Sequence, residues 1–248
     1  RRHSIFHNPK IMKAKGILYL IPNVLVLETG QDIMAPVVKN VIANTSHYLV
    51  EDFRTVRRYI SSLKLGVKLE EVHLEKLDKK TPEIQLKKLL APLLKGHDVG
   101  IISEAGCPGI ADPGANAVAL AHKLGIKVVP LPGPSSMFMA LMGSGFNGQS
   151  FTFNGYLPID RKDRVQAIKE LEAKSIRENT TQMFMETPFR NNRMLEDLLA
   201  NLSSNTLLCI ASNITGADEM IQTKKVADWR KKHPDLHKIP AVFLIHHS

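Results

Sequence analysis

A two-domain α/β fold follows from three features of the sequence. Short apolar runs alternate with amphipathic segments along the whole chain, the pattern of strands joined by crossover helices. Two of those runs feed directly into rigid Gly/Pro turns, S-E-A-G-C-P-G-I-A-D-P-G at 103–114 and P-L-P-G-P-S-S at 130–136. Ten of the 15 glycines fall between Gly96 and Gly148, and the alternation restarts near Pro134. The sequence therefore divides into an N-terminal domain, 1–134, and a C-terminal domain, 135–248, with largely parallel or mixed sheets. Residues 1–11 are expected to be a leader or unstructured, because Met12 resembles a natural start.

In chain order, Ile17–Ile21 is a buried first strand stopped by Pro22. Asp32 caps a helix through Ala43, with Ile33, Val37 and Val41 on one face. Tyr48–Val50 is a strand ending in Glu51-Asp52, and Phe53–Leu63 a helix on which Arg54, Arg57 and Arg58 share a face. Val67–Leu77 alternates as an edge strand. Thr81-Pro82-Glu83 opens a helix ending near Gly96. Val99–Ile102 is a central strand, Ala115–Leu124 a helix closed by Gly125, and Lys127–Val129 the next strand. Ser135 should cap the helix that follows. In the second half, strands are expected at 151–156, 181–185, 206–211, 219–222 and 241–245. Helices are expected at 162–178, 191–202 and 225–232.

The bulk numbers narrow the function. With 44% apolar residues the chain forms a packed core, and no apolar run approaches the roughly 18 residues of a membrane span. Two cysteines make no metal spacing or disulfide framework, which fits a reducing cytoplasm. No metal cluster, nucleophile elbow or dinucleotide fingerprint occurs, so hydrolytic, metal and nicotinamide chemistry are disfavoured. The net charge of +9 and pI near 9.5 suit a polyanionic partner. Arg161, Lys162 and Arg164, just past a strand end, are phosphate-contact candidates. Asp112 is expected to cap the helix after Pro113, whereas Glu104 stands at a strand tip and suits a ribose hydroxyl or a cationic ligand. Cys209, in the apolar run L-L-C-I-A, is read as core packing, and Cys107, inside the Gly/Pro turn without a clear histidine partner in sequence, is disfavoured as a reactive thiol.

The run S-E-A-G-C-P-G-I-A-D-P-G resembles the S-D-A-G-T-P-x-I-S-D-P-G run of the tetrapyrrole methylase superfamily. V-V-P-L-P-G-P-S-S, V-E-D-F-R, G-Y-L-P and E-T-P-F-R add to the likeness in matching order. Within the superfamily they are most similar to the ribosomal RNA small subunit methyltransferase I branch. The resemblance implies S-adenosyl-L-methionine as cofactor, held in a cleft between the two domains of a homodimer. It implies methyl transfer to a ribose 2′-hydroxyl of small-subunit rRNA, with no membrane and no metal. Carried over by motif, the cofactor contacts are Pro22, Glu104, Cys107, Ile110, Ser135, Ser136, Met185, Glu186 and Ala241. Asp52 and Glu186 are the carboxylates placed to take the hydroxyl proton, and Arg54 and Arg190 the cations placed to orient an anionic acceptor.

The sequence also departs from the family pattern. The first loop reads I-P-N-V-L where the family has T-P-I-G-N. S-N-I-T-G at 212–216 replaces R-E-L-T-K, and Ile239-Pro240 replaces G-E. Two alternatives therefore stay open: a tetrapyrrole methyltransferase, and a paralogue that binds the cofactor or its product without turnover.

Overall fold

The computed structural model describes residues 14–247, so the expectation for residues 1–11 lies outside the described part. The chain forms two compact units. One runs up to Asn23 and resumes over Met34–Gly133; the other comprises Val24–Ile33 and the chain from Pro134 onward.

The first unit opens with β1 (Ile17–Ile21). The chain then lends a short turn of helix, α1 (Gly30–Ile33), to the second unit, and returns with α2 (Pro36–Asn44). The single helix expected from Asp32 to Ala43 is thus broken at Met34-Ala35. Pro36 has no N–H to continue the helix and drives Ala35 to extended angles. The shift moves the buried face to Val38, Val41 and Ile42 and leaves Val37 exposed. Next come β2 (His47–Val50), α3 (Phe53–Ser62), β3 (His73–Lys76), α4 (Glu83–Leu89) and α5 (Ala91–Leu94). The unit closes with β4 (Val99–Ile102), α6 (Ala115–Lys123) and β5 (Lys127–Pro130). The long strand expected over Val67–Leu77 is shortened to β3, because a 3-10 turn occupies Leu69–Glu71.

The five strands are parallel, in the order β3-β2-β4-β1-β5. β4 is flanked on both sides, and all four of its residues are buried. At Gly100 an added Cβ would lie 2.6 Å from Ile21 Cδ1 and 2.9 Å from Tyr48 Cδ1, so no side chain fits there. Leu18, Leu49, Val99 and Ile101 of the sheet join Leu86, Leu90, Leu93, Ala117 and Leu120 in one apolar cluster.

The second unit contains α7 (Ser136–Ser144), β6 (Phe151–Tyr156), α8 (Arg161–Glu178), β7 (Thr181–Met185) and α9 (Asn191–Asn201). It continues through β8 (Leu207–Ser212), β9 (Met220–Lys225), α10 (Val226–Lys231) and β10 (Ala241–His246). Its sheet runs β6-β7-β10-β8-β9, and only β6 and β7 pair in parallel. The segment between β8 and β9 is too short to carry a crossover helix, so those strands meet as an antiparallel pair. Phe184 and Phe243 stack at 6.0 Å in the core. Trp229 is buried among the same residues, and its indole N–H donates to the Leu208 carbonyl at 2.8 Å.

A buried ion pair joins α8 to α9. Arg164 donates from Nε and Nη2 to one oxygen of Asp197 at 2.8 and 2.7 Å, and from Nη1 to the Ile159 carbonyl at 2.7 Å. Both side chains are more than nine-tenths buried. Arg164, expected among the phosphate contacts, is therefore spent inside the fold. Removing one member of such a pair leaves an uncompensated buried charge, at a cost of about 3–5 kcal/mol. Asp197→Ala is expected to lower the urea midpoint of the second unit accordingly, followed by fluorescence of Trp229, the only tryptophan of the chain. An unchanged midpoint would show that water reaches the pair.

Candidate functional site

The carboxyl ends of the parallel strands are where open α/β sheets bind ligands, at the point where outgoing connections diverge. In the first unit that point is between β1 and β4. They are neighbours, yet β1 leads towards β2 and β4 towards β5, on opposite sides. Asn23, one residue beyond Pro22, ties the two outgoing loops together. Its N–H donates to the Gly106 carbonyl at 2.9 Å, and the Gly106 N–H returns a bond at 3.1 Å. Its buried side-chain amide donates to the Ser103 and Glu104 carbonyls at 2.9 and 3.0 Å. Pro22 is fixed from two further directions. The Tyr59 hydroxyl donates to its carbonyl at 2.8 Å, and Gly133 lies so close that an added Cβ would overlap the proline ring. The second Gly/Pro turn thus needs its glycine to pass over the first loop.

The turn after β4 uses three glycines with positive φ: Gly106 at 67°, Gly109 at 80° and Gly114 at 141°. Glu104 stands exposed at the strand tip, preceded by Ser103, whose buried hydroxyl makes no hydrogen bond among the described residues. Cys107 is half-buried, and Ile110 is half-exposed with its N–H directed to the Cys107 carbonyl at 3.3 Å. Burial and the neighbouring Asp112 push the Cys107 thiol up, away from the reactive thiolate.

Glu51, Asp52, Glu104 and Asp112 gather at these loops. Partial burial, then Glu51 and Asp52, raise the Glu104 carboxyl. Burial, then Glu51 and Glu104, push Asp112 up to about 6, with Lys79 opposing. Asp112 is not the helix cap expected of it. The N-cap of α6 is Gly114, with no side-chain cap bond. Asp52 does cap α3, accepting from the Thr55 N–H at 2.6 Å. That bond holds its carboxyl below the usual range and makes it a weaker proton acceptor. Arg54, Arg57 and Arg58 on α3 are all exposed.

In the second unit Ser135 is the N-cap of α7, its hydroxyl 3.5 Å from the Phe138 N–H, and Ser136 begins that helix half-buried. Met185 ends β7, and Ala241 begins β10, buried beside Ser212. Glu186 is buried; one oxygen accepts from the Thr187 N–H at 2.6 Å and from Arg190 Nη2 at 2.7 Å. These two residues border a pocket of about 340 Å3 at the carboxyl end of β7, which also takes in Arg161, Arg193, Glu196 and the Arg164–Asp197 pair.

Asn23 is the residue that sequence reasoning passed over. Its signal was modest: a polar residue directly after a strand that ends buried. Among the described residues there is no group of His, Cys, Asp and Glu suited to a metal.

A carboxyl raised in the fold favours its protonated form there. Its stabilising contribution is complete below the unfolded value near 3.8 and is lost as pH rises through about 6. Asp112→Asn is insensitive to this titration. Thermal unfolding of both proteins across a pH series is therefore expected to show the variant gaining on the wild type between about pH 4 and 6, then a constant difference. A difference flat with pH would place Asp112 in a solvated environment.

Comparison with known proteins agrees with this architecture. The family profile of Tetrapyrrole (Corrin/Porphyrin) Methylases matches residues 36–229. A Ribosomal RNA small subunit methyltransferase I from Vibrio cholerae is 30% identical over 96% of this chain and 80% of its own length. One from Halalkalibacterium halodurans is 30% identical over 77% of this chain, which spans 62% of that relative. The crystal structure of the methyltransferase CobJ superposes with a TM-score of 0.61 at 18% identity, covering 94% of this chain and 93% of that one. The parallel sheet with its glycine-rich loops, the mixed second sheet and these matches agree: the chain belongs to the tetrapyrrole methylase family, and the two relatives above are named ribosomal RNA small subunit methyltransferase I.

Proposed function

We propose that this chain transfers a methyl group from S-adenosyl-L-methionine to RNA of the small ribosomal subunit. The observation that carries the reading is the crest of the first unit. Four carboxyl groups gather there, and two of them are raised, by burial first and then by neighbouring carboxylates, with Lys76 and Lys79 only partly opposing. S-adenosyl-L-methionine is cationic at its sulfonium and its ammonium, and its ribose offers hydroxyls that a carboxylate accepts. The buried, unpartnered hydroxyl of Ser103 adds one more polar group in want of a ligand.

In this reading the cofactor contacts of the first unit are Pro22, Glu104, Cys107 and Ile110, and those of the second are Ser135, Ser136, Met185, Glu186 and Ala241. When bound, the cofactor supplies an electrophilic methyl group. Methyl transfer needs alignment and exclusion of water more than it needs a strong base. That suits a site where Asp52 spends its carboxylate on a helix cap and Glu186 on Arg190. Either can take the acceptor's proton while keeping these bonds, because a carboxylate has about four lone-pair sites and Glu186 uses a single oxygen for Thr187 and Arg190. Arg54, exposed on α3, and Arg190 orient the anionic acceptor. The protein acts in the cytoplasm as a homodimer, which light scattering on the purified protein checks.

The functional test pairs calorimetry with transfer. The wild type is expected to bind S-adenosyl-L-methionine and to label unmethylated small ribosomal subunits with a radioactive methyl group. Glu104→Ala is expected to weaken binding about tenfold, the worth of one charge-assisted hydrogen bond. Cofactor binding with no label in any RNA would refute methyl transfer to RNA. Label appearing in a porphyrinoid instead would assign the tetrapyrrole acceptor.

A further inference from the structure

The start of α9 runs against its helix dipole. A helix N-terminus favours acidic groups and repels cations. α8 satisfies this with Asp160 at its N-cap, which accepts from the Asp163 N–H at 3.1 Å, and with Asp163 in its first turn, whereas α9 has no acidic residue in its first turn but does have Arg193 there. Its N-cap position is Arg190, with no side-chain cap bond. The pocket described above lies between these two helix starts, at the carboxyl end of the parallel pair β6 and β7. It brings together four arginines against three carboxylates.

The carboxylates account for part of this charge. Asp197 holds Arg164 and accepts from Arg161 Nε at 3.1 Å. Glu186 holds Arg190 through a single nitrogen, and the Arg190 Nε is buried with no hydrogen bond among the described residues. Arg193 is exposed and makes no ion pair among the described residues. Arg161 keeps most of its side chain in solvent. The Arg190 guanidinium, an Arg193 outside any ion pair among the described residues and the start of α9, without a side-chain cap, therefore border one cavity. That is the donor set of an oxyanion with several acceptor oxygens, and guanidinium forks match phosphate best.

We propose that this pocket of the second unit holds a phosphodiester group of the RNA acceptor, gripped by Arg190 and Arg193, with Arg161 at its rim. The proposal rests on the RNA reading above and assigns it a contact point. Arg164 is a positioning residue: it fixes α8 against α9 so that the other arginines converge. Filling the site would supply the negative charge that the start of α9 lacks.

The test uses the full chain and a fluorescein-labelled single-stranded RNA, with anisotropy measured across a salt series. Arg193→Glu is expected to weaken binding about tenfold or more. It should also reduce the slope of log affinity against log salt by about one, the mark of a lost phosphate contact. Lys169→Glu, the same charge change on the exposed part of α8 outside the pocket, should do much less. Circular dichroism should show both variants folded. Affinity and slope unchanged in Arg193→Glu, or equally reduced in Lys169→Glu, would overturn the proposal. Methyl transfer to small ribosomal subunits, run beside it, separates the two levels. Transfer by the wild type with Arg193→Glu unaffected removes the pocket alone. Absence of both RNA binding and transfer in the wild type removes the RNA reading, and the pocket with it.

Discussion

The Asn23 clamp is the contact on which the first unit's site depends. Two loops that leave the sheet in opposite directions would otherwise be independent, each free to adjust its own backbone. Two main-chain bonds to Gly106 and two amide bonds to the carbonyls of Ser103 and Glu104 couple them. All four are made by a residue that is 1% exposed, where a lost partner costs about 1–3 kcal/mol. The clamp has a consequence for the turn after β4. With Gly106 held by the first loop, positive-φ bends at Gly109 and Gly114 shape the segment that follows. Glu104 stays between the two, its carbonyl bound by the Asn23 amide.

The family pattern has a glycine in the first loop where this chain has Val24, and the structure shows how the loop is kept nonetheless. Val24 is buried, and it is the first residue assigned to the second unit, immediately after the clamp. The constraint that holds the loop is thus carried by Asn23, the Tyr59 hydroxyl and the close approach of Gly133, rather than by backbone freedom at position 24. A loop fixed by hydrogen bonds from both sides is pre-organised, and pre-organisation lowers the ordering cost of binding.

Most of the strands were legible because each is a short apolar run bounded by Gly, Pro or charge, and β1, β4, β6 and β7 have the bounds that pattern predicts. Two things were less legible, for physical reasons. Local periodicity cannot see a proline that ends a helix without ending its apolar stripe, which is how α2 lost its first turn at Pro36. Nor does it report strand direction, so β10 between β7 and β8 read like any other buried run although it is antiparallel to both. At the site, sequence placed Glu104 at the strand tip and Ser135 at a helix cap. It misjudged Asp112 and Arg164, because an acid before a helix and a base after a strand have the same local pattern whether they cap, cluster or pair in the core.

The charge distribution resolves an apparent conflict between a cationic cofactor and a chain of net charge +9. Screening limits exposed charges to about 8–10 Å at physiological salt, so a ligand responds to its immediate surroundings rather than to the total. At the first unit's loops those surroundings are Glu51, Asp52, Glu104 and Asp112, with Lys76 and Lys79 only partly opposing them. At the second unit's helix starts they are arginines in excess over carboxylates. Each neighbourhood is stabilised by an ion of the opposite sign and destabilised by the wrong one. A phosphodiester arriving at the acidic loops meets repulsion from their carboxyl groups. On the proposed function and the proposed phosphate site, carboxylates at the carboxyl ends of one sheet favour a cation and guanidiniums beside the helix starts of the other favour an anion.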